Sequence, residues 1–187
     1  MKTVIVFLAD GFEECEGLLA VDLLRRAKVN VVTASVSGRR EVLSSHQVTV
    51  TADLLAEEAD YASADMLVMP GGMPGTLRLG ECALVRDQCL AFAKDRYVAA
   101  ICAAPSILAD LGLLEGREAT CHPNFEDKMA GAAVTKNSVT AAGNLITGQG
   151  LGSAIPFALE LVRTLTDDTT AEQIASAICY PPKEGAF

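Results

Sequence analysis

The chain opens on an unbroken apolar run, Val4 to Ala9, and four comparable runs follow at intervals. Short, continuous runs rich in β-branched residues read as strands buried on both faces. They predict strands over Thr3–Ala9, Asn30–Ser35, Asp65–Met69, Tyr97–Ile101 and Leu145–Thr147. Between them the period changes. From Glu14 to Ala27 the apolar residues recur at helical spacing, with Leu18, Val21 and Leu24, joined by Ala20 and Leu23, on the inner face. Helices are likewise predicted over Ala83–Lys94, Ser106–Leu111 and Ser153–Leu165, the last with Ile155, Ala158, Leu159 and Val162 at spacings of 3, 4 and 7. Thr170–Cys179 continues as a final helix.

Strands alternating with helices imply an α/β fold with a parallel, doubly wound sheet. Ser37-Gly38-Arg39-Arg40 reads as a turn, and the alternation Val48-Thr49-Val50-Thr51 after it predicts a small antiparallel excursion. No Pro/Ser-rich linker, low-complexity tract or internal repeat divides the chain, so residues 1–187 are expected to form a single domain.

Composition narrows the function. Half of the 187 residues are apolar and 21% are charged, a globular mixture. Lys and Arg number 15 against 24 Asp and Glu, a net charge of −9. Such a polyanion suits neither nucleic acid nor an anionic membrane surface, and the absence of Trp removes the best stacking platform for bases. No stretch approaches the roughly 20 apolar residues of a membrane helix. The opening run is too short for a secretory leader and meets Asp10, Glu13 and Glu14 at once. The six cysteines contain no C-x-x-C pair and there are two histidines, His46 and His122, so neither a disulfide framework nor a zinc site is expected. Reduced thiols in a cytoplasmic protein are the better reading.

In open doubly wound sheets, ligands bind beyond the carboxyl ends of the strands. The first strand is followed by Asp10-Gly11-Phe12-Glu13-Glu14-Cys15-Glu16. Acids at a helix start favour the macrodipole, but three glutamates exceed that need, so one of them is expected to enter a site; periodicity does not say which. The third strand is followed by Pro70-Gly71-Gly72-Met73-Pro74-Gly75, which suits a plain turn and an N–H cradle for an oxyanion equally well. Gly148-Gln149-Gly150-Leu151-Gly152 misses the dinucleotide spacing.

The fourth strand is the most informative. Val98 to Ile101 runs straight into Cys102 and then a helix, with small residues, Ala100 and Ala104, two positions to either side. A nucleophile elbow needs small residues there because its tight turn crowds the backbone. A thiol so placed, ahead of a helix, is a candidate nucleophile, against the alternative of a buried structural cysteine. Thr120-Cys121-His122-Pro123 ends a short strand, and His122 is better placed than His46 to face Cys102.

With Cys102 in its elbow the chain resembles the ThiJ/PfpI superfamily, and within it the DJ-1 branch. The resemblance rests on Gly11-Phe12-Glu13-Glu14-Cys15-Glu16, Met69 to Gly75, Ala99 to Pro105, Thr120 to Pro123 with Asp127-Lys128, and Thr147-Gly148-Gln149-Gly150 with Phe157-Ala158-Leu159. It implies a flavodoxin-like three-layer sandwich that forms a homodimer. It also implies that Cys102 is the reactive cysteine and that Glu16 is a protonated carboxyl hydrogen-bonded to it. The N–H groups of Gly72 and Ala103 would form the oxyanion hole, with His122 a nearby acid/base. The implied activities are glutathione-independent conversion of methylglyoxal to lactate, protein deglycation, chaperone activity and oxidative-stress sensing. No metal or organic cofactor is required. The alternatives are a redox sensor or chaperone without a dedicated substrate, and an amidohydrolase or peptidase. Arg26 matches one of two arginines the family often places near the cysteine across the dimer, as a possible anion contact; His46 stands where the second would be.

Overall fold

A computed structural model describes residues 1–181. The elements in chain order are β1 (Thr3–Leu8), α1 (Glu14–Arg26), β2 (Asn30–Ser35), β3 (Glu41–Leu43), β4 (Thr49–Thr51), β5 (Leu54–Leu55), β6 (Met66–Met69), α2 (Gly75–Glu81), α3 (Ala83–Phe92), β7 (Tyr97–Ile101), α4 (Pro105–Asp110), β8 (Glu118–Ala119), β9 (Ala133–Val134), β10 (Val139–Ala142), β11 (Leu145–Gly148), α5 (Ala154–Leu165) and α6 (Asp168–Ala177). All five predicted strands are present, each within a residue of its expected bounds.

Seven strands form the central sheet in the order β10-β11-β7-β6-β1-β2-β5. Every pair is parallel except β10 with β11. Leaving out the two edge strands, the order is the 2-1-3-4-5 of flavodoxin-like folds, whose direction of winding reverses between β1 and β6. The crevice at that reversal is where a ligand site is expected. The antiparallel excursion is the hairpin β3–β4, with Val42 opposite Val50.

Alternation along the strands builds two cores. Val4, Val6, Leu8, Val68, Ala99 and Ile101 face α1, α5 and α6. Ile5, Phe7, Leu67, Met69, Val98 and Ala100 face α2, α3 and α4. The result is a three-layer sandwich, and both faces are buried, which is why the strands read as continuous apolar runs.

Two expectations change. Leu18 does not join the inner face of α1 and is 38% exposed. The buried stripe runs through Gly17, Ala20, Val21 and Leu24, with Glu16 at its head, so Leu18 falls to its edge. The second is α2, where no helix was expected: Gly75 and Gly80 lower its propensity, and burial of Thr76 and Leu79 supplies what the sequence lacks. Among the described residues no helix is long and apolar enough to cross a membrane.

Candidate active site

Three strand ends converge at the crevice, and their loops are tied together. Glu13 N–H donates to the Gly71 carbonyl at 2.9 Å. The Glu13 carboxylate caps α1 by accepting from Glu16 N–H at 2.7 Å. Glu14 turns outward to His46, whose Nδ1 lies 3.0 Å from its Oε1. That leaves Glu16, in the first turn and on the buried stripe, to point inward; it is 1% exposed. The surplus of acids after β1 therefore resolves into one cap, one surface pair and one buried carboxyl.

Glu16 Oε2 accepts from Gly71 N–H at 2.9 Å. Glu16 Oε1 is buried and has no hydrogen-bond partner, and the carboxyl lies close enough to the Cys102 thiol for each to shift the other's proton affinity. Gly71 is obligatory here: a Cβ on it would stand 2.6 Å from Cys102 Cβ and 2.8 Å from Glu16 Oε2. The sequence marked the doubled glycine Gly71-Gly72 as a pair, and the family resemblance named Gly72 alone.

Cys102 has φ of 66°, in the left-handed region that β-carbon-bearing residues rarely enter. The turn is pinned on both sides. Cys102 N–H donates to the Gly148 carbonyl at 2.9 Å, and its own carbonyl accepts from His122 N–H at 2.8 Å. The flanking Ala100 and Ala104 are fully buried, as the elbow demands. The N–H groups of Ala103 and Gly72 act on the sulfur in the sense that favours a thiolate. Gly72 reaches its position with φ of 89°, where a Cβ would lie 2.3 Å from Glu13 N.

Burial pushes the Glu16 carboxyl up to about 7, against the pull of Gly71 N–H and the thiol. Burial also pushes the Cys102 thiol up to about 12; the Glu16 charge and hydrogen bond add to that, and the N–H groups of Ala103 and Gly72 oppose it. A position ahead of a helix is thus not what sets this thiol. Burial and Glu16 outweigh it, and while Glu16 is ionised the sulfur holds its proton. Each group thus shifts the other, and the two titrate as a pair.

A strained cysteine elbow one strand from the winding reversal, beside two N–H groups and a buried glutamate, sits within a sequence whose residues 2–164 match the profile of the DJ-1/PfpI family. The chain belongs to the DJ-1/PfpI family. It is 33% identical to Drosophila melanogaster protein dj-1beta over 180 residues, covering 95% of this chain and 96% of that one. The Toxoplasma gondii DJ-1 structure, described as oxidized, superposes with a TM-score of 0.93 at 34% identity, over 97% of this chain and 100% of that one. A more distant relative, the Caenorhabditis elegans glutathione-independent glyoxalase DJR-1.2, is 28% identical over 95% of this chain and 96% of its own.

The other expected site residues of this DJ-1/PfpI member are placed less uniformly. His122 adjoins the site, and its ring and the Cys102 sulfur flank Gly150. Its Nδ1 accepts from Asn124 N–H at 3.2 Å, and among the described residues no hydrogen bond joins the imidazole to the thiol. Arg26 lies at the far end of α1, exposed and paired with Asp22 at 2.9 Å, so within one chain it does not reach the sulfur. Glu13, Glu14 and His46 bring ligand-type atoms within 4.8 Å of one another; the His46–Glu14 hydrogen bond accounts for that approach.

Proposed function

We propose that this protein is a cysteine-dependent enzyme acting on small reactive carbonyls, converting an α-oxoaldehyde such as methylglyoxal to its 2-hydroxy acid without glutathione. The observation that carries the reading is the buried Glu16 carboxyl beside Cys102: its Oε1 has no hydrogen-bond partner, and its Oε2 and the Cys102 Cβ crowd the same face of Gly71. It is a proton store beside a nucleophile. Cys102 passes its proton to Glu16, and the thiolate adds to the aldehyde carbon to give a hemithioacetal. The Gly72 and Ala103 N–H groups hold the oxyanion as it develops. Glu16 returns the thiol proton to that oxygen, and as the carboxylate then moves, with His122 at the rim, the aldehyde-carbon proton by way of an enediol to the neighbouring carbon. The product is a thioester, which water cleaves to the hydroxy acid and the free thiol. Atoms balance as an internal redox isomerisation followed by hydrolysis, so no organic cofactor enters. The name of the worm relative supports the same chemistry.

A homodimer is part of this proposal. Leu18 on α1 is exposed, as are Leu43 and Val48 of the adjoining β3–β4 hairpin, and Arg26 lies on the same helix. The decisive assay is lactate formation from methylglyoxal, with glutathione absent, by wild type and Cys102→Ser. Lactate from wild type and none from the variant is expected; equal rates would overturn the proposal. A second reading, redox sensing, is favoured by the same two N–H groups and Glu16, which also suit a cysteine sulfinate, and by the oxidized state of the Toxoplasma neighbour.

A further inference from the structure

A groove of about 430 Å³ lies about one helical turn beyond the thiol site; neither Cys102 nor Gly72, Ala103 or His122 lines it, and it has no part in the chemistry above. That volume is in the range of small-molecule pockets. Its walls are α2, α4 and a 3-10 helix, Pro123–Lys128, which contribute Leu77, Gly80, Ile107 and Phe125. Each wall is hydrogen-bonded to one of the groups around the sulfur. Thr76 N–H donates to the Gly72 carbonyl at 2.9 Å, and Phe125 N–H to the His122 carbonyl at 2.8 Å. The Ser106 hydroxyl donates to the Ala103 carbonyl at 2.7 Å. The groove therefore starts within one turn of Gly72, of Ala103 and of His122.

Its lining is mixed, with Leu77, Ile107 and Phe125 as its hydrocarbon part and Thr76, Ser106 and four charged side chains around them. Leu77 is 47% exposed; Met73, outside the groove lining but one turn earlier and next to Gly72, is 44% exposed. Large apolar side chains left open in a row at a site's mouth mark a place where hydrocarbon binds. Its charges cancel. Arg86 is held by Asp110 at 2.6 Å. The Lys128 ammonium lies over the Phe125 ring, 5.0 Å from its centre, and Glu81 also lines the groove, so its four charged residues sum to zero. An electrically balanced groove favours a neutral occupant over an anion or a cation.

We propose that this groove holds the hydrocarbon body of the substrate. The preferred carbonyl compound is then an uncharged α-oxoaldehyde carrying a medium-length linear alkyl chain, rather than methylglyoxal. This rests on the carbonyl chemistry proposed above. The aldehyde carbon meets the sulfur, and the chain runs out between α2 and α4. Each methylene fully buried there raises kcat/KM by about fourfold.

The test compares kcat/KM for methylglyoxal, 2-oxopentanal and 2-oxooctanal in wild type, Gly80→Leu and Leu77→Glu. A Cβ on Gly80 would rest 3.6 Å from Ile107, in ordinary contact, so leucine there fills the groove without backbone strain. Leu77 is exposed, so Leu77→Glu puts charge in the groove while sparing the core. Wild type is expected to prefer 2-oxooctanal to methylglyoxal by at least about tenfold, mostly through KM, and both variants to flatten that ratio. A flat wild-type ratio, or a preference that survives both variants, overturns the proposal. Binding of unreactive 1,2-octanediol to Cys102→Ser, read from the methyl NMR signals of Leu77 and Ile107, separates the two proposals. Shifts that Gly80→Leu abolishes, with no turnover of any α-oxoaldehyde, would sink the carbonyl activity and support the groove. Turnover with no chain-length preference and no diol-induced shift would sink the groove alone.

Discussion

Replacing Glu16 with glutamine is expected to stabilise the fold at neutral and mildly alkaline pH while weakening catalysis. Burial raises the Glu16 carboxyl from 4.5 to about 7. A carboxyl whose folded value lies above its unfolded value favours the folded state fully below the unfolded value, and loses that contribution as pH rises through the folded value. The window is therefore about pH 4.5 to 7. Above it the ionised carboxylate costs the folded state about 3 kcal/mol, at 1.36 kcal/mol per pKa unit. Glutamine carries no charge, keeps an acceptor for Gly71 N–H and offers the sulfur a donor. Urea unfolding of wild type and Glu16→Gln at pH 5 and pH 8 measures the difference. The variant's advantage should grow by about 2–3 kcal/mol between the two. The same substitution removes the charge that raises the thiol, so iodoacetamide alkylation of Cys102 should accelerate at pH 8, while lactate formation falls by about 10²-fold if Glu16 moves the proton. A pH-independent stability difference would refute the raised carboxyl, and unchanged turnover would remove Glu16 from the mechanism.

Cys102→Gly is expected to be more stable than Cys102→Ala by about 0.5–1 kcal/mol in thermal or urea unfolding, because the positive φ of 66° costs alanine and not glycine; equal stability would argue against a strained elbow. Gly71→Ala should depress both alkylation of Cys102 and turnover, since its Cβ would stand 2.6 Å from Cys102 Cβ. His122→Gln should leave the alkylation rate of Cys102 within about threefold, there being no imidazole–thiol hydrogen bond, whereas an aligned Cys–His pair predicts a loss of ~10² or more. Limited peroxide followed by mass spectrometry should place the first sulfinic acid on Cys102; preferential oxidation of exposed Cys15 or Cys179 would count against the redox reading.

What the sequence revealed, and what it withheld, follows from the range of the interactions involved. The five core strands were legible because burial on both faces leaves a continuous apolar run. The elbow was legible because crowding around a tight turn is local: Ala100, Cys102 and Ala104 lie within five consecutive residues. The helix α2 was not, because Gly75 and Gly80 argue against it and only packing against distant residues decides otherwise. Leu18 was misplaced because an amphipathic stripe is broad, and the close seating of Gly17 against Phe12 sets its centre. The inward glutamate shows the limit most clearly. Glu13, Glu14 and Glu16 are chemically alike and all belong to a helix start. Glu13 is selected as the cap by its bond to Glu16 N–H, and Glu14 is drawn outward by His46, a residue 32 positions away. Glu16 is left facing Gly71, 55 positions away. The family resemblance pointed to Glu16, but no pattern within the chain did. The thiol's state is more remote still from the sequence. Its position ahead of a helix suggested an easily formed thiolate, yet burial dominates and the nearest charge is negative, so reactivity depends on where one shared proton resides. Activity should therefore track the protonation of the Glu16–Cys102 pair rather than that of either residue alone, and a single pH profile shared by alkylation and turnover in wild type, absent from Glu16→Gln, is its expected signature.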